Sequence, residues 1–283
     1  MISIIICNKK ANLCPVLEDN IRDTIGVDYE IISIDNSHGQ YSIFQAYNEG
    51  VARAKGDILC FMHDDILFRS KGWGSVIEDA FAANERMGAL GVAGGHFMPD
   101  CPCSWSTCKT TSFHVWQTKP DGSATEYKCT DHTDGKHFVE VATLDGLFIC
   151  IRHSLFNNIR FDDQTFRGFH CYDSDICMQV LATGYSVNVT FDIDIEHRSN
   201  GACNQQYYDN IDIWYKKWHS HLPITRGIQL TDSEKRIHQE YAIELIEQGK
   251  EMLSLYQKLD SIEYQLGHYL LRPISLICKH NKI

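Results

Sequence analysis

Two adjacent carboxylates at the end of an apolar run mark the first place where this chain could do chemistry. Gly56-Asp57-Ile58-Leu59-Cys60-Phe61-Met62-His63-Asp64-Asp65-Ile66 opens on a turn glycine, continues through apolar residues too few for a helix, and stops at acid. Such a run reads as a buried strand. In an open α/β sheet the carboxyl ends of the strands border the ligand crevice, which would put Asp64 and Asp65 in a cleft. Two carboxylates there repel unless a cation lies between them, and a hard divalent ion with oxygen ligands meets that need. A metal bound this way can in turn hold a diphosphate. The competing reading is a helix N-cap followed by an acidic first turn.

A second acidic cluster lies in Phe169-His170-Cys171-Tyr172-Asp173-Ser174-Asp175-Ile176, where Asp173 is expected to begin a helix that Gly184 ends. The positive end of a helix dipole lowers a carboxyl pKa and burial in a cleft raises it. Those opposed effects can poise Asp173 as a general base. Plain N-capping by Asp173, with Asp175 solvated, would produce the same pattern. The alternating run Val187 to Glu196 reads as a half-exposed strand ending on His197, and Tyr29 to Ile34 as a strand ending in Asp35-Asn36-Ser37, which is also good turn chemistry. Val139 to Arg152 restores strand character, with a kink at Asp145-Gly146.

The elements that must hold these groups follow a strand-helix-strand order. Ile2-Ser3-Ile4-Ile5-Ile6-Cys7 suits a central strand covered on both faces, followed by Asn8, Lys9 and Lys10; Ala11 to Ile25 reads as a helix before the Asp35 strand. That order implies a right-handed crossover and a parallel sheet. Ile43 to Ala54 and Trp73 to Asn84 read as further helices, and Met87 to Gly95 as a glycine-rich strand. The chain's 283 residues allow one large α/β domain with an appendage, and a formal net charge of −11 without a basic stripe argues against nucleic acid as partner. Twelve cysteines would suggest disulfides in a small secreted protein, but the start Met-Ile-Ser-Ile-Ile-Ile-Cys has no signal-peptide character, so a reducing cytoplasmic setting is expected. No apolar run approaches a membrane span, which restricts any membrane contact to the periphery.

Ala46-Tyr47-Asn48-Glu49-Gly50-Val51-Ala52-Arg53-Ala54-Lys55-Gly56-Asp57, running directly into His63-Asp64-Asp65, resembles the middle of the inverting family 2 glycosyltransferases. The resemblance covers about residues 1 to 220. It implies a GT-A fold, a Rossmann-like, mostly parallel α/β sheet flanked by helices. It also implies transfer from a nucleotide-sugar donor, a UDP-sugar above all, to a hydroxyl of a glycan or lipid-linked acceptor with help from Mn2+ or Mg2+. In that family the strand ends in Asp-X-Asp; here the first acidic position is His63, which leaves Asp65 as the direct metal ligand, with Asp64 and His197 assisting. Tyr172-Asp173-Ser174-Asp175 resembles the family's Glu-Asp-X-Asp motif, with Tyr172 in place of the glutamate. That correspondence makes Asp173 the base and sets Tyr172 and Asp175 on the acceptor side. Cys7, Asn8, Asp35, Asn48, Asp64 and Asp145 are expected along the nucleotide sugar. No Gln-X-X-Arg-Trp motif follows, which argues against processive polymer synthesis. A sugar nucleotidyltransferase would need a glycine-rich loop after the first strand, and Cys7-Asn8-Lys9-Lys10 lacks it. A catalytically inactive nucleotide- or glycan-binding relative is the other alternative, given His63 and Tyr172.

The sequence divides into a domain over 1–225 (a nucleotide half 1–95, an irregular loop region 96–138, an acceptor half 139–225) and a helical segment over 226–283. In the loop region Cys101, Cys103, Cys108, His114, Cys129 and His132 invite a zinc reading, although their spacings form no paired Cys-x-x-Cys framework. Trp214, Tyr215, Lys216, Lys217 and Trp218 could close over phosphate or pack a last helix onto the domain. Beyond the capping box Thr231-Asp232-Ser233-Glu234, Leu245, Met252, Leu259 and Leu266 recur every seven residues, with Ile262 and Tyr269 between turns. That stripe can pack onto the domain or pair two copies as a homodimer. Arg272, Lys279 and Lys282 could touch anionic lipid.

Overall fold

The computed structural model describes residues 1–133, 135–199 and 203–259. In chain order it contains β1 (Ile2–Asn8), α1 (Pro15–Thr24), β2 (Tyr29–Asp35), α2 (Ile43–Arg53), β3 (Ile58–Met62), β4 (Ile66–Phe68), α3 (Trp73–Ala83), β5 (Met87–Gly91), β6 (Ala93–Gly95) and β7 (Phe97–Met98). There follow β8 (Thr111–Thr118), β9 (Ala124–Cys129), β10 (Phe138–Val141), β11 (Thr143–Leu144), β12 (Phe148–Arg152), α4 (Tyr172–Ala182), β13 (Ser186–Thr190), β14 (Ile195–His197), α5 (Gln205–Trp218), β15 (Ile224–Thr225) and α6 (Asp232–Leu259). Ile262, Leu266, Tyr269, Arg272, Lys279 and Lys282 lie outside the described residues.

A seven-stranded sheet in the order β10-β13-β5-β12-β3-β1-β2 forms the centre. β2, β1 and β3 are mutually parallel, as the strand-helix-strand order requires, and β13 is parallel to β5. β12 runs antiparallel between β3 and β5, and β10 antiparallel on β13. Alternate residues of β1 serve two cores. Ile5 and Cys7 join α2, α4 and α5 on one face, whereas Ile2, Ile4 and Ile6 join α1 and α3 on the other. All four of these isoleucines are fully buried, each contributing roughly 1.5–3 kcal/mol of transfer free energy. Gly50 allows α2 to lie this close to β1, because a Cβ there would run into the Ile5 side chain. α1 starts at Pro15 rather than Ala11, since proline pre-forms the first turn and needs no hydrogen-bond donor there.

Two expected strands are each divided between sheets. Met87 to Gly95 splits into β5 in the large sheet and β6 in a second sheet of order β11-β6-β8-β14-β4. Val187 to His197 splits likewise into β13 and β14 across the bend at Phe191–Asp194, so His197 arrives from the second sheet. The supposed irregular region contains a regular hairpin, β8 against β9 in antiparallel register from Phe113↔Cys129 to Thr118↔Ala124. At the other end of the chain, Thr231 and Glu234 form the expected capping box, and α6 buries Ala242 and Ile246 against the domain. No helix among the described residues is long and apolar enough to cross a membrane.

Candidate active site

β1, β3 and β14 end at one cleft, and the start of α4 forms its opposite wall. One lobe, of about 290 Å3, is lined by Cys7, Lys9, Asn36, Tyr47 and Asp64 among others. A second, of about 430 Å3, is lined by Ser104, Trp105, Asp145, Asp173, His170 and Tyr207 among others. His63, Phe169, Tyr172, His197 and Ser199 line both and form the waist between them. A shallower hollow beside the start of α6, lined by Thr110, His132, Glu234 and His238, holds none of the expected site residues.

At the waist His63, Asp65 and His197 bring one ligand atom each to within 4.8 Å of one another, the only such group among the described residues. Asp65 Oδ1 stands 3.6 Å from His197 Nε2 and 3.8 Å from His63 Nδ1. Asp65 Oδ1 and His197 Nε2 are both buried without a hydrogen-bond partner. Burial alone would raise the Asp65 carboxyl, but His197, Ser199 and His63 around it outweigh that and hold it well below the usual carboxylate range. Burial keeps the His63 imidazole below its ordinary pKa, against the pull of Asp145 and Asp65. A carboxylate oxygen facing two imidazole nitrogens is the donor set of a divalent transition-metal site.

Asp64, expected as a ligand, is not part of this group. Its Oδ2 accepts the Lys9 backbone N–H at 3.0 Å, where the chain turns just past β3. His63 stands in this group where the sequence pointed to Asp64. The signal was present, for groups at i and i+2 beside a strand share a face.

Asp173 lies in the second lobe. Its Oδ2 accepts the Gly146 N–H at 3.1 Å and its Oδ1 the Ser174 N–H at 2.7 Å. Burial, together with the Asp145 charge, pushes the carboxyl up to about 7, although both N–H groups favour the anion. The helix cap is Cys171, not Asp173, and it holds the left-handed conformation at φ 66°. Backbone strain of that kind collects at functional sites. Tyr172 packs edge-on against Phe44 and Tyr47, and its hydroxyl lies 2.8 Å from His63 Nε2. Gly146 leaves room for that hydroxyl, since a Cβ there would collide with the Tyr172 ring. Asp145 closes the turn by accepting the Leu147 N–H at 2.8 Å and lines the second lobe.

Four other expected site residues, Asp175, Asn48, Asp35 and Asn8, line neither lobe. Asp175 is 1% exposed and accepts hydrogen bonds from Trp218 Nε1, Gln179 Nε2 and Lys217 Nζ, so it ties α5 to α4 instead of meeting an acceptor. Asn48 makes paired hydrogen bonds to the Phe161 backbone, donating to its carbonyl at 2.7 Å and accepting its N–H at 3.1 Å. Asp35 is exposed and accepts the Ser37 N–H in an Asx turn; its neighbour Asn36 lines the cleft instead. Asn8 is buried with Nδ2 unpartnered, next to Cys7, which does line the first lobe.

The other aromatic and sulfur groups separate in the same way. Trp214 and Trp218 are buried packing residues, and Lys217 pairs with Asp162 and Asp175, so this helix packs rather than covers a phosphate. Trp105 lines the second lobe, whereas Trp116 lies under the Arg69 guanidinium, 4.2 Å from its ring centroid. The loop-region cysteines and histidines are not drawn to one point. Cys108 and Cys129 donate to backbone carbonyls, and His114 is held between Glu126 and Asp194.

Residues 1–220 match the family described as Glycosyltransferase like family. Over 168 residues the chain is 30% identical to the streptomycin biosynthesis protein StrF of Streptomyces griseus, an alignment covering 57% of this chain and 54% of that protein. The chain thus spans about half the length of that curated relative. Among solved structures, GalNAc-T7 with UDP, GalNAc and Mn2+ superposes at a TM-score of 0.51 and 10% identity, over 86% of this chain and 56% of that one. S. aureus TarS in complex with UDP-GlcNAc superposes at a TM-score of 0.47 and 11% identity, over 84% of this chain and 70% of that one. Likeness at such low identity speaks to the fold alone, and the superposition on GalNAc-T7 agrees with the central sheet and flanking helices described above. The chain belongs to the glycosyltransferase-like family and has a GT-A fold.

Proposed function

We propose that this glycosyltransferase is metal-dependent and inverting, and that it moves a sugar from a nucleotide-sugar donor, a UDP-sugar by preference, to a hydroxyl of a glycan or lipid-linked saccharide. The observation that carries the reading is the His63–Asp65–His197 group at the waist of a two-lobed cleft with Asp173 in the second lobe. The nucleotide occupies the lobe of Cys7, Lys9 and Asn36, and the acceptor the lobe of Trp105, Asp145 and Asp173. His63, Asp65 and His197 would hold Mn2+ or Mg2+, and the unpartnered Asp65 Oδ1 and His197 Nε2 fit that use. Such an ion, when bound, offsets negative charge on the departing diphosphate. UDP and Mn2+ beside GalNAc-T7 are in keeping with this assignment.

The chain's own residues account for the rest. Asp173 takes the proton of the acceptor hydroxyl while that oxygen bonds to the anomeric carbon from the face opposite the diphosphate, whose bond to that carbon breaks. A carboxyl raised to about 7 matches this task, being substantially ionised at neutral pH yet basic enough to accept a proton. The Gly146 N–H fixes its orientation. Trp105 and Tyr207 give the acceptor lobe aromatic surface for the face of a sugar ring. On α6, exposed Met252, Leu255, Tyr256 and Leu259 support the homodimer contact read from the heptad stripe.

The test is the stereochemistry of turnover. With an α-linked UDP-sugar and water or an acceptor, proton NMR should show the β anomer as the first product. An α product would exclude inversion. No turnover with any UDP-, GDP- or dTDP-sugar would exclude the donor class.

A further inference from the structure

His63 and Tyr172 are the two residues that depart from the motifs around them, and they lie 109 positions apart in the sequence, yet their side chains touch. His63 Nε2 and the Tyr172 hydroxyl are 2.8 Å apart, while His63 Nδ1 points at Asp65 Oδ1 at 3.8 Å. The Tyr172 ring has little freedom. It is 6% exposed, edge-on to Phe44 and to Tyr47, and seated where Gly146 lacks a Cβ. A rigid partner on one imidazole nitrogen decides which nitrogen carries the proton and which presents its lone pair.

We infer that Tyr172 is a positioning residue: its hydroxyl accepts the His63 Nε2–H and so turns the Nδ1 lone pair toward Asp65 and His197, fixing the third ligand of the metal group. This rests on the metal reading above. Tyr172 precedes Asp173 directly, so the same contact sets the distance between the ligand group and the base-bearing first turn of α4. A histidine in the ligand position needs an orienting acceptor that a carboxylate there would not. The tyrosine beside Asp173 supplies one without adding a negative charge next to a carboxylate that is already hard to ionise.

The experiment titrates Mn2+ into the full-length wild type, Tyr172→Phe and Asp65→Ala, following free Mn2+ by EPR, and records the visible spectrum of the Co2+ forms. Tyr172→Phe keeps the ring and removes only the hydroxyl. It should weaken Mn2+ about tenfold or more and alter the Co2+ spectrum, as loss of an orienting partner does. Mn2+ affinity and a Co2+ spectrum equal to wild type, even with a lower Tm, would reduce Tyr172 to packing and overturn the inference. If the wild type itself binds no Mn2+, the metal reading falls and the inference falls with it, a result that the wild-type titration alone reveals. The wild type also permits a check that needs no variant. Long-range 1H–15N NMR should find His63 protonated on Nε2, and protonation on Nδ1 would overturn the assignment.

Discussion

At the scale of single residues, the site works through environments more than residue types. Asp64, Asp65, Asp145, Asp173 and Asp175 are all aspartates, yet one caps a loop, one faces two imidazoles, one closes a turn, one is poised near neutrality and one is locked into a helix junction. Because the Asp173 carboxyl is raised to about 7, kcat/KM should rise with pH through that value as the base ionises. Asp173→Asn should lower kcat by about 10²–10⁴-fold while leaving UDP binding in place, measured by turnover and by calorimetry. The same shift has a stability sign. A folded-state pKa above the unfolded value near 4 means that the native state binds the proton more tightly, so Asp173 contributes progressively less to stability as pH rises from about 4 to about 7. Tm of Asp173→Asn should therefore exceed wild type by a few degrees at pH 8 and approach it at pH 4. Two imidazoles and one carboxylate should also prefer Mn2+ to Mg2+, so Mn2+ should raise Tm at lower concentration than Mg2+.

Elements decide which of these residues can meet. Asp175 shows this most clearly: on the buried side of α4 it receives Trp218, Lys217 and Gln179 and thereby fixes α5. Asp175→Ala should cost about 3–5 kcal/mol, the range for breaking a buried ion pair, seen as a large fall in Tm, while Mn2+ affinity of the folded protein stays unchanged. Gly50→Ala should cost about 1–3 kcal/mol, because the added methyl meets Ile5 in a packed core and α2 must shift. These roles also explain what the sequence could and could not reveal. The strand-helix-strand order, the helix start at Tyr172-Asp173 and the capping box of α6 were legible because period, turn residues and caps are local signals. Asn48 and Asp175 were not, since their partners Phe161 and Trp218 are remote in sequence. The β8–β9 hairpin hid for a different reason. Its strand β8 turns Ser112 and His114 inward, where they bond His96 and Glu126, so the polar-apolar alternation is inverted.

At the scale of the whole molecule, two sheets meet at the cleft. The large sheet brings His63 and Asp65 from the end of β3, and the second brings His197 from β14. α6 is tied to the domain, with Gln239 bonded to the Asp100 carbonyl and Lys250 paired with Asp212 on α5. The central claim is that the waist joins a metal to a nucleotide. The most direct measurement is thermal unfolding of the wild type and Asp65→Ala with UDP, GDP and dTDP, each with and without Mn2+. A ligand at about a hundred times its dissociation constant adds about 2.7 kcal/mol, enough to raise Tm by several degrees. The account predicts a Mn2+-dependent rise with UDP in the wild type that disappears in Asp65→Ala; equal Tm values with and without every nucleotide and Mn2+ would contradict it.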